Sequence, residues 1–445
     1  MIPSRVLVLA VAPLLALAAC GSSGSGSTAL PAATTASAAA ATPPVAETSA
    51  GLTSASPMTS AAPTTPAAQT SSRAAPASAA ATTFPAAATS PIPKGFQIAD
   101  LSWISATEGW LLGAAPAGGG KVTSVLLHTT DGGASWSSLT APPVTVPLSS
   151  NAGVGCEKMF CASGIRFANA HVGYVYGSNS GTQGPTTSSA MTTDGGRTWT
   201  TQPGPPVVAL EPGPADVLRV TDEGGCPPGC TYHLQRSSIG STTWTNVTTP
   251  GLGGDAIQLL RAGSDDYLVE YKNPAGGAQS EQPSYVVSHD GGATWGTGQD
   301  PCLSIAPNGK EVDTNTAAAA PGGVLTVLCS PRDGQSKPTL LRSTNAGHTF
   351  TSINKKPATG TLVQLSATTL LTVGSLTVQR STDGGATSTS VLTLPKASTT
   401  GGPDTLASRS YAGSQDATTA RVVSGTPEIF TTHDGGATWS SYSFA

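Results

Sequence analysis

The sequence is poor in charge and in aromatic side chains. Charged residues make up 10% of the 445 residues and aromatic residues 5%, and the net charge is only −4. Because no basic stripe is present to neutralise phosphates, we expect no nucleic-acid partner. The periodic mixtures of Leu, Glu, Lys and Ala that build long amphipathic helices are also missing beyond residue 95. Gly (52) and Pro (36) are abundant instead, which favours many short strands joined by Gly-rich turns.

Sequence motifs of common catalytic sites are missing as well. The chain has no HExxH, no P-loop, no GxGxxG at a strand–helix junction and no GxSxG elbow. The histidines are scattered over distant segments, so we expect no shared metal site and no cofactor. They are His128, His171, His233, His289, His348 and His433. The acidic pair Asp265-Asp266, which precedes an apolar run, is interpreted as a solvated turn.

The first residues predict export. Arg5 provides a positive start, and residues 6–16 form an apolar stretch that is short for a membrane span. The segment LAACG at 17–21 resembles the lipobox of bacterial lipoproteins, in which the cysteine receives a diacylglyceryl group and becomes the first residue after cleavage. This resemblance implies a signal peptide at 1–19 and lipidation of Cys20, with acyl chains such as palmitate holding the protein on the extracytoplasmic face of the membrane. The alternative is an ordinary secretory signal with a chance cysteine.

The segment from 20 to 95 predicts a disordered tether. It consists almost entirely of Ala, Ser, Thr, Pro and Gly, and its charged residues are Glu47, Arg73 and Lys94. Such a composition cannot bury enough apolar area to offset the entropy of ordering the chain. A flexible chain of this length reaches about 50 Å.

The remaining six cysteines form three close pairs along the chain: Cys156 and Cys161, Cys226 and Cys230, Cys302 and Cys329. Sequential pairing is one of fifteen connectivities, and the short loops favour it. The alternative is metal binding by the CxxxC of Cys226 and Cys230, but no second Cys/His pair accompanies it. Because export favours oxidation, we predict disulfides.

One octapeptide, Ser/Thr-x-Asp-Gly-Gly-x-Thr/Ser-Trp, recurs beyond residue 95. We call it the repeat octapeptide and number its positions 1 to 8. The copies are TTDGGASW (129–136), TTDGGRTW (192–199), SSIGSTTW (237–244), SHDGGATW (288–295), STNAGHTF (343–350), STDGGATS (381–388) and THDGGATW (432–439). Their spacing averages about 50 residues, which is typical of four-stranded propeller blades.

The residue types of the octapeptide suit a tight hairpin turn. The position-3 carboxylate can accept backbone N–H groups, the glycines permit positive φ, and the position-8 ring buries apolar area. The residues to which we assign these structural roles are Asp131, Trp136, Asp194, Trp199, Trp244, Asp290, Trp295, Asn345, Phe350, Asp383, Asp434 and Trp439.

A second element, strand–turn–strand, precedes the first two octapeptides, with residues 101–113 as an example. A blade would then hold two strands, a connection, a third strand, the octapeptide turn and a fourth strand. Seven octapeptides predict an all-β, seven-bladed β-propeller over 96–445. Both whole blades and a one-strand exchange between the termini remain compatible with the sequence.

These repeats resemble the Asp-box (BNR-repeat) propeller families. The families include sialidases, sortilin-like receptors, xyloglucan-type glycoside hydrolases and photosystem-assembly-factor-like propellers, the last being most similar in style. The resemblance covers about residues 96–445 and concerns the repeat pattern, so it implies a fold and no functional residue.

A sialidase-like glycoside hydrolase is the enzymatic alternative. That family clamps a carboxylate with three arginines, but no arginine lies between Arg73 and Arg166, where the first is expected. The arginines that would have to converge instead are Arg166, Arg219, Arg261 and Arg332. We therefore expect no catalytic residue.

We expect a monomeric, membrane-anchored propeller that serves as a non-catalytic binding or assembly module for an unknown protein or glycan. Propellers recruit ligands with long loops and near the central channel. The longest stretches without an assigned element are 141–161 and 203–230, and each contains a cysteine pair.

Overall fold

The computed structural model describes twelve segments of the chain, all of which belong to one compact unit. The segments are 92–118, 121–147, 160–178, 187–223, 231–252, 256–271, 285–298, 301–305, 312–331, 337–354, 357–396 and 409–444. The predicted signal peptide, nearly all of the predicted tether and the residues Cys20, Cys156, Cys226, Cys230 and Arg332 lie outside them. Within these segments no helix has the length and apolar character needed to cross a membrane.

The described residues form seven antiparallel sheets, each made of four consecutive strands. Blade 1 is β1 (Gln97–Trp103), β2 (Gly109–Gly118), β3 (Lys121–Thr129) and β4 (Ser137–Leu139). Blade 2 is β5 (Cys161–Phe167), β6 (Gly173–Ser178), β7 (Thr187–Thr192) and β8 (Thr200–Pro203). Blade 3 is β9 (Val207–Pro212), β10 (Asp216–Asp222), β11 (Tyr232–Ser238) and β12 (Thr245–Asn246).

Blade 4 is β13 (Ala256–Ala262), β14 (Asp265–Tyr271), β15 (Tyr285–Ser288) and β16 (Gly296–Thr297). A short 3₁₀ helix (Pro301–Ile305) leads to blade 5, which is β17 (Val312–Ala320), β18 (Val324–Pro331), β19 (Thr339–Ser343) and β20 (Thr351–Asn354). Blade 6 is β21 (Thr361–Gln364), β22 (Leu370–Val373), β23 (Thr377–Ser381) and β24 (Thr389–Thr393). Blade 7 is β25 (Ser410–Ser414), β26 (Ala420–Ser424), β27 (Glu428–Thr432) and β28 (Ser440–Ser443).

The seven blades form a closed ring. Their first strands adjoin one another in the order β1, β5, β9, β13, β17, β21 and β25, and β25 in turn adjoins β1. These first strands therefore surround the central channel. The predicted all-β, seven-bladed β-propeller is confirmed. The stretch 203–230 is not a long loop, however, because it holds β9 and β10.

Ring closure, which the sequence left open, uses whole blades. Strands β1–β4 form one sheet and β25–β28 another, so the termini exchange no strand. The Arg409 amide donates to the Ile98 carbonyl at 2.8 Å, and the Phe444 ring packs edge-on to Phe96 with ring centroids 5.3 Å apart. The Arg421 guanidinium, which is fully buried, lies 3.3 Å from the centre of the Trp103 ring. Closure therefore rests on side-chain packing together with the Arg409–Ile98 backbone hydrogen bond.

Aromatic residues outside the octapeptides fill the spaces between blades. Between blades 1 and 2, Trp110 and Phe167 stack with ring centroids 3.8 Å apart and planes 4° from parallel. Trp110 is fully buried, and its indole N–H donates to the Gly195 carbonyl at 3.0 Å. A chain with few aromatic residues thus places a large one where two sheets meet.

Every octapeptide joins the third strand of its blade to the fourth. In the first copy, the Thr129 hydroxyl donates to Asp131 Oδ1 at 2.8 Å and accepts the Gly133 amide at 3.0 Å. Asp131 Oδ1 also accepts the Ser135 amide at 2.9 Å. The same three bonds occur in the turns of blades 2, 4, 5, 6 and 7. Side chains at positions 1 and 3 therefore fix the turn.

The octapeptide turn is also tied to the turn between strands 1 and 2 of its own blade. The position-4 amide donates to a carbonyl of that turn in six blades, at 2.8 or 2.9 Å. The pairs are Gly132 with Thr107, Gly195 with His171, Gly291 with Ser264, Ala346 with Gly323, Gly384 with Thr368 and Gly435 with Thr418. Both turns thus lie at one face of the ring, which we call the turn face. The opposite face, where strands 2 and 3 and successive blades are connected, is the loop face.

Blade 3 departs from this pattern because its octapeptide has Ile239 at position 3. Its position-4 amide, from Gly240, bonds instead to the Tyr174 hydroxyl of blade 2 at 2.9 Å. The Ser237 hydroxyl donates to the Thr243 carbonyl at 2.8 Å across the turn. The Gly240–Tyr174 contact between blades therefore replaces the bond to the turn carbonyl, and the Ser237–Thr243 bond spans the turn that lacks its carboxylate.

One disulfide lies within the described residues. Cys302, in the 3₁₀ helix, is bonded to Cys329 of β18, with Cα atoms 5.5 Å apart and both residues fully buried. It fastens the connection from blade 4 to the core of blade 5. Cys161 is also disulfide-bonded.

The octapeptide carboxylates predict a loss of stability in acid. The Ser135 hydroxyl and amide lower the pKa of Asp131 to about 2, and the hydroxyl at position 7 lowers that of Asp290, Asp383 and Asp434 further. An unfolded aspartate has a pKa of about 3.9, so the folded state binds fewer protons below that pH. Stability is then full above about pH 4 and falls as the pH drops towards 2.

Melting temperatures measured at pH 5, 4, 3 and 2 should show this decline, and Asp131→Asn should make it shallower. Asn345 occupies the same position in blade 5 without a carboxylate. Asn345→Ala should therefore lower the melting temperature equally at each pH. An unchanged acid profile in Asp131→Asn would contradict the assignment.

Candidate functional site

A cluster of charged and phenolic side chains lies at the central channel. We call Asp100, Arg166, Glu211, Tyr176 and Tyr411 the channel cluster. Asp100 is on β1, Arg166 on β5, Glu211 on β9 and Tyr411 on β25, so four innermost strands contribute, while Tyr176 is on β6. The ring thus brings together residues of blades 7, 1, 2 and 3 that are far apart in the sequence.

Arg166 lies at the centre of the cluster. Its Nη1 donates to Asp100 Oδ2 at 2.7 Å, and its Nε donates to Glu211 Oε1 at 2.7 Å. Asp100 Oδ2 also accepts the Ile165 amide at 2.9 Å. The side chains of Arg166 and Glu211 remain 24% and 30% exposed, so the ion pairs line the channel in partial contact with solvent.

Burial governs the protonation of the cluster. It raises the pKa of Glu211 above its ordinary value, although the positive charge of Arg166 acts in the opposite direction. It also raises the pKa of Tyr411 to about 12 and that of Tyr176 further. The tyrosines therefore stay neutral beside one guanidinium and two carboxylates.

Arg409 extends the charged region towards the loop face. It precedes β25, and its guanidinium donates to the Ala162 carbonyl at 3.3 Å and the Pro147 carbonyl at 2.6 Å. Burial lowers the pKa of Arg409, and the charge of Asp100 counters that effect. This side chain joins blade 7 to blades 1 and 2 beside the channel.

A second ion-pair group lies between blades 3 and 4. Arg261 donates to Asp216 Oδ1 at 2.9 Å and, through two nitrogens, to both oxygens of Asp266 at 3.0 and 3.2 Å. Arg236 also pairs with Asp216. Asp266 is fully buried, and burial raises its pKa while Arg261 acts in the opposite direction. The interpretation of Asp265-Asp266 as a solvated turn is therefore wrong, because Asp266 is the buried partner of Arg261.

Arg219 has neither a carboxylate partner among the described residues nor access to the channel surface. It is 4% exposed, donates through Nε to Gln235 Oε1 at 2.8 Å and lies 4.0 Å from the centre of the Trp244 ring. Burial lowers its pKa to about 10. Arg219 supports the ring at position 8 of the octapeptide that lacks its aspartate.

The described arginines that a sialidase-like clamp would need are thus engaged in other contacts. Arg166 and Arg261 flank β9, but each guanidinium is already held by two carboxylates. Arg219 is packed inside blade 3, and Arg332 lies outside the described residues. In the described part of the chain, no free guanidinium pair faces the channel to bind a substrate carboxylate.

Two of the scattered histidines come together on the turn face. His289 of blade 4 and His348 of blade 5 stack with ring centroids 4.7 Å apart and planes 28° from parallel. Their separation along the chain hid this contact, which depends on the two blades being neighbours. Among the described residues, no group of three or more His, Cys, Asp or Glu side chains has the geometry to hold a metal ion.

The chain was compared with known proteins. No protein-family model matches it, and no curated protein matches it either. A solved structure of YCF48 bound to D1 peptide is similar, with 15% identity over 80% of this chain and 97% of that chain and a TM-score of 0.47. YCF48 from Cyanidioschyzon merolae is 13% identical over 78% of this chain and 98% of that chain, with a TM-score of 0.46. An ancestral GH74 enzyme is 13% identical over 80% of this chain and 48% of that chain, with a TM-score of 0.48. Because the identities and TM-scores are this low, the similarities assign no role to any residue of the channel cluster.

Replacement of Arg166 tests the channel cluster. Arg166→Met leaves the carboxylates of Asp100 and Glu211 without their cation, which should lower the free energy of unfolding by about 2–3 kcal/mol. This is less than for fully buried pairs because solvent still reaches the cluster. Urea unfolding measures the loss. Adding Glu211→Gln should restore a part of it, whereas additive losses would show that the two residues are not coupled.

Proposed function

We propose that the protein is a lipid-anchored, extracytoplasmic propeller that binds a protein or a glycan without catalysing its conversion. The supporting observation is the pairing of the channel charges: Arg166 is held by Asp100 and Glu211, and Arg261 by Asp216 and Asp266. Charged groups held in this way are fixed by one another, and each guanidinium is already engaged by two carboxylates. A hydrolase would instead need a carboxylate and an acid that are free to act on substrate.

The unequal lengths of the connections favour the loop face as the binding surface. On the turn face, strands 1 and 2 are joined by two to five residues and strands 3 and 4 by six or seven. On the loop face, the connections range from two residues up to the 21 between β4 and β5. Binding residues concentrate in variable loops held by a rigid scaffold.

An apolar feature also lies on the loop face. Leu376, between β22 and β23, is 49% exposed and is the one large hydrophobic residue that is exposed in the described part of the chain. It borders a cavity of about 340 Å³ whose wall includes Pro357 and Gln379. An apolar side chain beside a cavity offers one position at which contact with a partner can be tested.

A sialidase-like glycoside hydrolase is the second candidate. The raised pKa of Glu211, next to a second carboxylate on Asp100, is the observation that favours it, since a general acid needs a raised pKa. The hydrogen bonds from Arg166 to both carboxylates argue against a hydrolase, because they hold these groups in place. Release of sugar from glycans by the purified protein, lost in Glu211→Gln, would establish the hydrolase and overturn the binding role.

The anchor is tested by Cys20→Ser. We expect the unaltered chain to fractionate with membranes and to yield an acylated N-terminal peptide in mass spectrometry. The serine variant cannot form the thioether, so its N-terminal peptide should carry no acyl group. An acylated N-terminal peptide from the serine variant, or none from the unaltered chain, would contradict lipidation at this residue.

The binding surface is tested by photo-crosslinking on intact cells. A photoreactive phenylalanine analogue at position 376 should yield a reproducible crosslinked protein or glycan in mass spectrometry. The matched control carries the same analogue at Ala437, an exposed residue of the turn face in blade 7. Equal products from both positions, or products from position 437 alone, would contradict recognition by the loop face.

A further inference from the structure

We propose that His289 and His348 form a two-histidine site for a divalent transition-metal ion on the turn face, between blades 4 and 5. The proposal does not depend on the binding function proposed above. It rests on three features: the stacked pair of imidazoles, a carboxylate that orients one of them, and an open cavity beside both.

The blades bring the imidazoles together through two octapeptide positions. His289 is at position 2 of the blade 4 copy and His348 at position 6 of the blade 5 copy. Positions 1, 3 and 4 of each turn are occupied by the hydrogen bonds that fix it, and both histidines lie outside that set. Both side chains are exposed and can rotate without disturbing the turns.

Asp265 orients the first ligand. Its Oδ1 lies 3.0 Å from His289 Nδ1, and this contact places the proton on Nδ1 and leaves the Nε2 lone pair free. Carboxylate–histidine pairs of this kind hold metal-binding imidazoles in proteins and raise their basicity. The imidazole nitrogens of His348 have no hydrogen-bond partner among the described residues, so they too are free to bind, while its backbone amide donates to the Asn345 carbonyl.

The cavity beside the rings has room for a hydrated ion. It measures about 500 Å³, and its walls include His289, His348, Gly296, Gly298 and Gly347. Asp290 also lines it, but the Asp290 carboxylate already accepts bonds from Ser288, Ala293 and Thr294 within its own turn. The two imidazoles are therefore the protein ligands, and water completes the coordination.

The chemistry selects the class of ion. Imidazole suits Zn²⁺, Cu²⁺ and Ni²⁺, whereas Mg²⁺ and Ca²⁺ prefer oxygen. A metal–nitrogen bond is about 2.0–2.1 Å long, so one nitrogen from each ring must approach a common point. Because Asp265 holds the His289 ring, rotation of the His348 ring about χ2, a soft torsion, is the movement that would bring its nitrogen towards the His289 Nε2 side.

The full chain, purified without a histidine tag and with its disulfides oxidised, should be titrated with Cu²⁺ and Zn²⁺. Electron paramagnetic resonance of the Cu²⁺ complex should show two nitrogen donors, and Zn²⁺ should raise the melting temperature. His348→Gln should leave one nitrogen donor and weaken binding by about tenfold or more, and Asp265→Asn should weaken it by about tenfold. Since protons compete for the imidazoles, binding should also weaken in acid.

The matched control is His433→Gln. His433 occupies position 2 in blade 7, as His289 does in blade 4, but position 6 of the following copy, in blade 1, is Ala134. This variant should bind as the unaltered chain does. Melting temperatures without metal show that each variant is folded. Equal binding by all variants, or no binding by the unaltered chain, would overturn the proposal.

Discussion

Blade 7 packs against blade 1 without exchanging a strand, and the position of every inner strand depends on that contact. The ring has no shared sheet at its seam, so side chains, together with a backbone hydrogen bond, carry the closure. Phe444 fills one part of the seam, and Arg421 stacks on Trp103 while donating to the Ala106 carbonyl at 2.6 Å. Arg421 is fully buried, and burial lowers its pKa to about 10, which shows that its charge is held at a cost. The planar guanidinium offsets this desolvation because it stacks on an aromatic ring and donates a hydrogen bond at the same time.

The closed ring also explains where a chain with few charged residues places them. Hydroxyls and amides fix the turn face: position 1 binds position 3, and position 4 reaches the neighbouring turn of the same blade. None of these shared turn bonds is an ion pair. Arginine and acidic side chains pair where blades meet, as in Arg166 with Glu211 and Arg261 with Asp216. The pairs of Arg166 with Asp100 and Glu211 and of Arg261 with Asp216 connect blades, whereas Arg261 with Asp266 and Arg236 with Asp216 pair within a blade.

The sequence was sufficient for the blades and insufficient for the channel. A repeat is visible because each copy must form the same turn, so seven octapeptides predict seven blades and place the third and fourth strands. Asp100, Arg166 and Glu211 belong to no repeat, and only the ring brings β1, β5 and β9 together. Asp266 is polar in the sequence but fully buried in the structure, where it pairs with Arg261 on the adjacent strand β13 of the same blade. Contacts between blades depend on the order and spacing of the whole ring, which no local pattern contains.

The repeat also indicates where this fold can acquire chemistry. Positions 1, 3, 4 and 5 take part in the turn, and position 8 packs against the neighbouring sheet, so substitutions there affect folding first. The side chains at position 2 and, apart from Arg197, at position 6 are exposed, and none of them makes the three bonds common to the six turns, which leaves them free to vary. Because the ring sets position 2 of blade 4 beside position 6 of blade 5, a residue at each creates a paired site without cost to either turn. His289 and His348 occupy these two positions, and the structural role of the octapeptide therefore does not account for them.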